Sequence, residues 1–213
     1  DLIDLARIYS YLIDFRSPFT ATHSASVAKV AQKLAELLHF SSTDCKKMLA
    51  AGYLHDLGKL TVDNAILEKQ SALEPEEFDV IRSHTYYTYY LLDNIAGLDD
   101  LKRWAAYHHE RLNGTGYPFH IGEDRLCLGS RIMAVADVFS ALQEKRPYKE
   151  PMSQKETTTI LNNMVKNKSL DPYIVGTILE NFPVFAKTCM HAGEQAEMEY
   201  GMLHDIGMTE PGI

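Results

Sequence analysis

Apolar residues recur every three or four positions along nearly all of this 213-residue chain, and no convincing stretch alternates with the period of two that a half-buried strand requires. Residues 2–16 set Leu2, Leu5, Ile8, Tyr9, Leu12 and Ile13 at helical spacing, and Pro18 interrupts them. Residues 21–39 place Val27, Val30, Ala31, Leu34, Leu37 and Leu38 on one face of a second helix. Thr43 or Asp44 can cap a third helix that runs to about Leu57, where Gly58 can end it. Residues 60–72 lack a sustained period and read as a loop. Pro75 with Glu76 and Glu77 behind it starts a helix through His84 to about Asn94, because proline and acids both suit a first turn. Another helix covers about 99–111, and Asn113-Gly114-Thr115-Gly116-Tyr117-Pro118 then forces a shaped turn. Helices follow over about 128–143, from the capping-box pair Ser153 and Glu156, and from Asp171-Pro172. The expectation is an all-α domain over residues 1–182 and a helical or partly disordered tail over 183–213.

Composition excludes several function classes. A net charge of −8 argues against duplex nucleic acid as a partner, since backbone binding relies on clustered Lys and Arg. It leaves room for a small anionic ligand, because a metal site supplies local positive charge inside an acidic protein. Cys45, Cys127 and Cys189 lack the spacing of a zinc finger or a disulfide framework, which fits a reducing cytoplasm. No apolar run approaches the roughly 20 residues that span a bilayer. The absence of an initiator Met and of a signal peptide makes Asp1 look like the start of a fragment.

The placement of the nine histidines points to chemistry. A lone histidine in a helix is usually structural, but two adjacent pairs change that reading. His55-Asp56 puts a nitrogen and an oxygen ligand on successive residues, and His108-His109 adds two more imidazoles about fifty residues later. Successive helical side chains diverge by about 100°, so each pair can serve two faces of one site or bridge two ions. Imidazoles and carboxylates without thiolate suit iron or manganese, and also accept zinc or nickel.

The segments His55-Asp56-Leu57-Gly58-Lys59 and His108 to Pro118 resemble the HDxGK and HHExxDGxGYP motifs of the HD-GYP family, a branch of the HD-domain metal-dependent phosphohydrolases. The resemblance covers most of residues 15–182 and implies an HD-domain helical bundle with the HD-GYP extension. It also implies a centre of two or three metals and hydrolysis of cyclic-di-GMP to linear pGpG, with GMP as a further product. Carried over by position, the metal ligands are His23, His55, Asp56, His84, His108, His109 and Asp137, with Asp56 bridging ions and acting in catalysis. Lys59 stands where it can neutralise a phosphate oxygen, and Arg146 and Lys149 match basic positions that contact phosphate. Tyr117 and Pro118 are read as shaping the loop, and Tyr86, Tyr87, Tyr89 and Tyr90 as packing residues.

Three departures qualify the match. Asn113 stands in place of a usual Asp, and Ser140 in place of a frequent substrate-contacting Asp, which opens hydrolysis of cyclic GMP-AMP as an alternative. A weakly active binding module is the non-enzymatic alternative. Phe19 occupies the place of a Glu that supports a third metal, so two ions are expected. The echo Leu203-His204-Asp205-Ile206-Gly207 has no second GYP-like partner and is read as chance or a vestige. An upstream sensory or receiver domain and a homodimer complete the expected partners.

Overall fold

The periodicity resolves into eleven α-helices and one 3-10 turn among the described residues: α1 (Leu2–Phe15), α2 (His23–Leu37), α3 (Ser42–Leu54), the 3-10 turn Leu57–Thr61, α4 (Asn64–Leu67), α5 (Pro75–Arg82), α6 (His84–Asp93), α7 (Asp99–Ala106), α8 (Leu128–Gln143), α9 (Gln154–Lys166), α10 (Pro172–Glu180) and α11 (Phe182–Met208). The computed structural model describes residues 1–15, 22–69, 71–145 and 150–208, apart from the side chains of 14–15 and 203–208. Phe19, Arg146 and Lys149 lie outside the described residues, as do the side chains of His204 and Asp205. No strand occurs among the described residues, and the fold is all-α as expected.

Small side chains bring the central helices together. A Cβ on Gly52 of α3 would lie 2.3 Å from Ala28 Cα of α2, so only glycine lets the two backbones approach this closely. Helix α2 also packs against α8 and α11, while α7 joins α3 to α8. Leu34, Met48, Leu101, Ile132, Met133, Phe139, Ile174, Ile178 and Phe185 fill the interior between them. Burial of this apolar surface is the main favourable term in folding.

The helix signals hold where capping chemistry is local. Ser153 accepts from the Glu156 amide and Glu156 accepts from the Ser153 amide, a complete capping box. Asp171 accepts from the amides of Tyr173 and Ile174 ahead of Pro172. Five expectations require correction. The cap of α3 is Ser41, which accepts from Asp44 N at 3.1 Å. Residues 60–72 contain the end of the 3-10 turn and α4, whose Asp63 cap accepts from Ala65 N. The single helix expected over 75–94 is two, joined at Ser83, and the helix expected over 99–111 ends at Ala106. In α1, Leu2, Leu5, Ile8, Tyr9 and Leu12 are exposed, and Ala6, Ser10 and Ile13 face the bundle.

The tail is part of the bundle rather than an appendage. Phe185, Cys189, Ala192 and Ala196 of α11 are buried, and Ser26 Oγ donates to Cys189 O at 3.2 Å. Glu199 further along receives Arg7 and the Tyr11 hydroxyl from α1. The packing therefore continues through residue 182 without a boundary. Among the described residues no helix is long and apolar enough to cross a membrane.

The 3-10 turn is seated on α6 through Gly58. Its amide donates to Thr88 Oγ1 at 2.9 Å, and Thr88 Oγ1 donates to His55 O at 3.0 Å. A Cβ on Gly58 would fall 1.9 Å from His84 O. Gly58→Ala is expected to destabilise the protein by about 1–3 kcal/mol through overpacking against backbone. Urea unfolding measures this, and a wild-type midpoint would show that the turn is not seated on α6.

Candidate metal centre

Each of three buried histidines stands three residues beyond a carbonyl that it satisfies. His55 Nδ1 is 2.7 Å from Gly52 O, His84 Nδ1 is 2.6 Å from Ile81 O, and His108 Nδ1 is 2.6 Å from Ala105 O. A carbonyl oxygen only accepts, so Nδ1 carries the proton in all three rings. These carbonyls belong to the last turns of α3, α5 and α7. Three helix ends thus converge, each presenting an imidazole with its Nε2 turned to the same space.

Asp56 lies among them. Its Oδ1 is 3.3 Å from His84 Nε2, its Oδ2 is 3.3 Å from His55 Nε2, and Lys59 Nζ reaches Oδ2 at 2.6 Å. Asp137 of α8 adds a second carboxylate, with Oδ1 3.2 Å from His23 Nε2 and Oδ2 3.7 Å from His109 Nδ1. The donor atoms of three sets each lie within 4.8 Å of one another: His84 with His108 and His109, His23 with His55 and Asp137, and His55 with Asp56 and His108. All seven side chains expected as metal ligands are brought together.

The electrostatics suit a cation. Burial pushes the His84 and His108 imidazoles down, and pushes His109 down to about 3 against the pull of Asp137. For Asp56, burial raises the carboxyl, but Lys59, His55 and His84 together outweigh it and hold it well below the usual range. Asp137 is held low in the same way, burial being overcome by His23, His109 and His108. Burial also opposes protonation of His55, and the adjacent Asp56 reverses the balance and raises it.

His84 Nε2 and His108 Nε2 are 3.4 Å apart. Both rings are neutral with the proton on Nδ1, so two lone pairs face each other and no hydrogen bond can form. Two nitrogens bound at about 2.0–2.1 Å to one tetrahedral ion are about 3.4 Å apart. The donor set therefore fits a metal ion, with imidazoles and carboxylates and no thiolate.

The remaining site residues fall into three groups. Lys59 lines the cleft of about 330 Å³ beside the ligands, together with Arg111, which motif reasoning passed over although it follows the His108-His109-Glu110 run. Ser140 does not reach the cleft: α8 turns it inward, it has no exposed surface, and direct contact with a base is corrected accordingly. Arg146 and Lys149 are outside the described residues.

The loop after α7 is held by residues of its own motif. Glu110 is buried and accepts from Phe119 N at 2.7 Å and Ile121 N at 3.1 Å, a role the sequence analysis missed. A Cβ on Gly116 would lie 2.4 Å from Glu110 Cα, which requires glycine. The Tyr117–Pro118 peptide is cis, and the Tyr117 ring packs on His109 with centroids 4.9 Å apart. Asn113 has a physical reason to replace an acid: its Nδ2 donates to Asn167 O at 2.8 Å, which a carboxylate cannot do. Tyr89, Tyr107 and Phe119 pack together beneath the loop, while Tyr86, Tyr87 and Tyr90 are exposed.

A helical bundle that closes such a histidine-aspartate cluster around Asp56 has the layout of an HD domain. Residues 7–174 match the family model described as HD domain. The chain is 35% identical over 181 residues to the 3'3'-cGAMP-specific phosphodiesterase 1 of Vibrio cholerae, covering 85% of this chain and 42% of that protein. It is 37% identical over 164 residues to phosphodiesterase 3 of the same description and organism, covering 77% and 35%. It is 31% identical over 181 residues to a cyclic di-GMP phosphodiesterase of Thermotoga maritima, covering 84% and 49%. The solved structure of Bd1817, an HDG"Y"P protein from Bdellovibrio bacteriovorus, superposes with a TM-score of 0.59 at 15% identity over 79% of this chain and 53% of that one, which shows the fold. The chain belongs to the HD domain family, and its paired motifs resemble those of the HD-GYP branch. It spans less than half the length of these curated relatives.

The imidazoles make metal-free stability depend on pH. His84, His108 and His109 are depressed below the unfolded value of 6.5, so their contribution is present above that value and is lost as pH falls toward about 3. His55 is raised and works in the opposite sense, one ring against three. The melting temperature of chelator-treated protein is expected to fall by several degrees between pH 7 and pH 5. A flat profile would show that the rings are not held neutral.

Proposed function

We propose that this chain is a phosphodiesterase that uses two transition-metal ions, iron or manganese, to open cyclic-di-GMP to linear pGpG, with GMP as a further product. The observation that carries the reading is the facing pair of Nε2 lone pairs on His84 and His108, 3.4 Å apart beside the ionised Asp56. The names of the relatives supply the substrate class. His23, His55 and Asp137 would hold one ion and His84, His108 and His109 the other, with Asp56 between them. Ions bound there would supply Lewis acidity toward a phosphodiester and its attacking water.

The chain's own groups do the rest. Asp56 stays ionised at neutral pH, so it serves as a fixed negative charge and not as a proton donor. Lys59 balances that charge and stands at the cleft wall, where its ammonium can meet a phosphate oxygen. Arg111 offers the same cleft a planar guanidinium suited to phosphate. Arg146 and Lys149 are assigned to the second phosphate from the motif resemblance.

A second reading, hydrolysis of 3'3'-cGAMP, is favoured by the descriptions of the Vibrio cholerae relatives. An upstream sensory or receiver domain, assembly as a homodimer and a cytoplasmic location belong to the same proposal.

Metal-loaded protein incubated with each cyclic dinucleotide, with the products separated by chromatography, tests both readings. Linear product from cyclic-di-GMP is expected, product from cyclic GMP-AMP alone would select the second reading, and no turnover of either would overturn both. Asp56→Ala is expected to remove about 4 kcal/mol of transition-state stabilisation, about a thousandfold in kcat, with the thermal transition still cooperative. Near-full activity in that variant would remove Asp56 from the mechanism. Arg146→Ala is expected to raise KM more than it lowers kcat, and steady-state kinetics on the linear and cyclic substrates check this.

A further inference from the structure

His23 differs from the other deeply buried imidazoles in what stands behind its ring. His55, His84 and His108 each pass their Nδ1 proton to a backbone carbonyl. His23 is the first residue of α2, and its Nδ1 is a buried polar atom without a hydrogen bond. The carboxylate of Glu144 faces that nitrogen, with Oε2 at 3.7 Å. Thr22 Oγ1 donates to the other carboxylate oxygen, Oε1, at 3.1 Å. Glu144 is 5% exposed and caps the C-terminus of α8, two helical turns beyond Asp137. One helix therefore addresses both nitrogens of His23, Asp137 at Nε2 and Glu144 at Nδ1.

Without metal, His23 Nε2 lies in hydrogen-bond contact with Asp137 Oδ1 at 3.2 Å. We infer that Glu144 is a positioning residue: when a metal ion takes the place of the Nε2 proton, Glu144 accepts a hydrogen bond from Nδ1–H and so keeps Nε2 as the metal-binding nitrogen. A histidine bound to metal nearly always donates its other ring N–H to a carboxylate, a carbonyl or water, and loss of that partner weakens metal binding about 10–100-fold. The backbone does this for three rings of the centre, and a side chain does it for the fourth. Glutamine is a partial substitute, since its single carbonyl oxygen can serve Thr22 or His23 but not both.

The inference rests on the metal-centre reading and is independent of the substrate. Its test is cobalt(II) binding by the full chain, with stoichiometry and affinity measured by chelator competition, alongside nitrogen NMR of the His23 ring in zinc-loaded protein. Wild type is expected to bind two ions with His23 protonated on Nδ1. Glu144→Ala is expected to keep one ion at wild-type affinity, weaken the other about 10–100-fold and shift the His23 proton toward Nε2. Glu144→Gln should fall between the two, and it replaces the alanine variant if that one does not fold. Wild-type affinity for both ions with an unchanged His23 tautomer in the glutamine and alanine variants would overturn the inference. Equal loss of both ions together with the thermal transition would also overturn it, because the role would then be structural. A wild-type chain that binds two cobalt ions and hydrolyses no cyclic dinucleotide would overturn the proposed function and leave this inference standing.

Discussion

The hydrogen bond from a histidine Nδ1 to the carbonyl three residues earlier is the interaction on which the centre depends. It occurs at His55, His84 and His108, and in each case its acceptor is a carbonyl in the last turn of a helix. The same bond fixes the tautomer, fixes the ring plane and turns Nε2 inward. Helix termination and ligand presentation are thus one event, which explains why the ligands sit at the ends of α3 and α7 and at the Ser83 break between α5 and α6. A continuous helix through any of these points would have spent the carbonyl on its own backbone.

The cost is a core with several polar groups that face one another. His55, Asp56, His84, His108 and Asp137 are all buried, and the lone pairs of His84 and His108 meet without a proton between them. An opposite charge offsets part of this, since Lys59 neutralises Asp56. A partly satisfied polar network is destabilising in a low-dielectric interior. Metal binding to such a preformed donor set stabilises the folded state by mass action, so fold and centre are thermodynamically coupled.

Precision in this arrangement comes from glycines that admit no side chain and from a loop that is tied at several points. Gly52 sets the α2–α3 distance and Gly58 lets the 3-10 turn touch α6 at His84. Gly116 and Glu110 bind the loop after α7 back onto its own start, and Tyr117 packs on His109. Asn113 joins that loop to the turn after α9 with a donor that an acid lacks. The cleft wall is consequently built from residues whose positions are set by backbone contact.

Residue types alone determined the all-α class, the local caps at Ser153 and Asp171 and the histidines and aspartates from His23 to Asp137 that come together, because each depends on periodicity, on near-neighbour hydrogen bonds or on a motif of distinctive residues. Which face of a helix is buried, where a helix breaks and what a side chain meets across the fold depend on long-range packing, and there the tertiary structure decided. The apolar residues of α1 have helical spacing, yet Ala6, Ser10 and Ile13 are the ones that face the bundle, while Leu2, Leu5, Ile8 and Leu12 are exposed. Gly58 reads as a helix stop and proves to be a point of backbone contact with His84. Ser140 shares a helix with Asp137, yet it is fully buried and does not line the cleft that Asp137 lines, because what a side chain meets is set by the packing around α8. Glu144 and Arg111 carry no signature of their own; only the convergence of α2, α7 and α8 puts a carboxylate behind His23 and a guanidinium in the cleft.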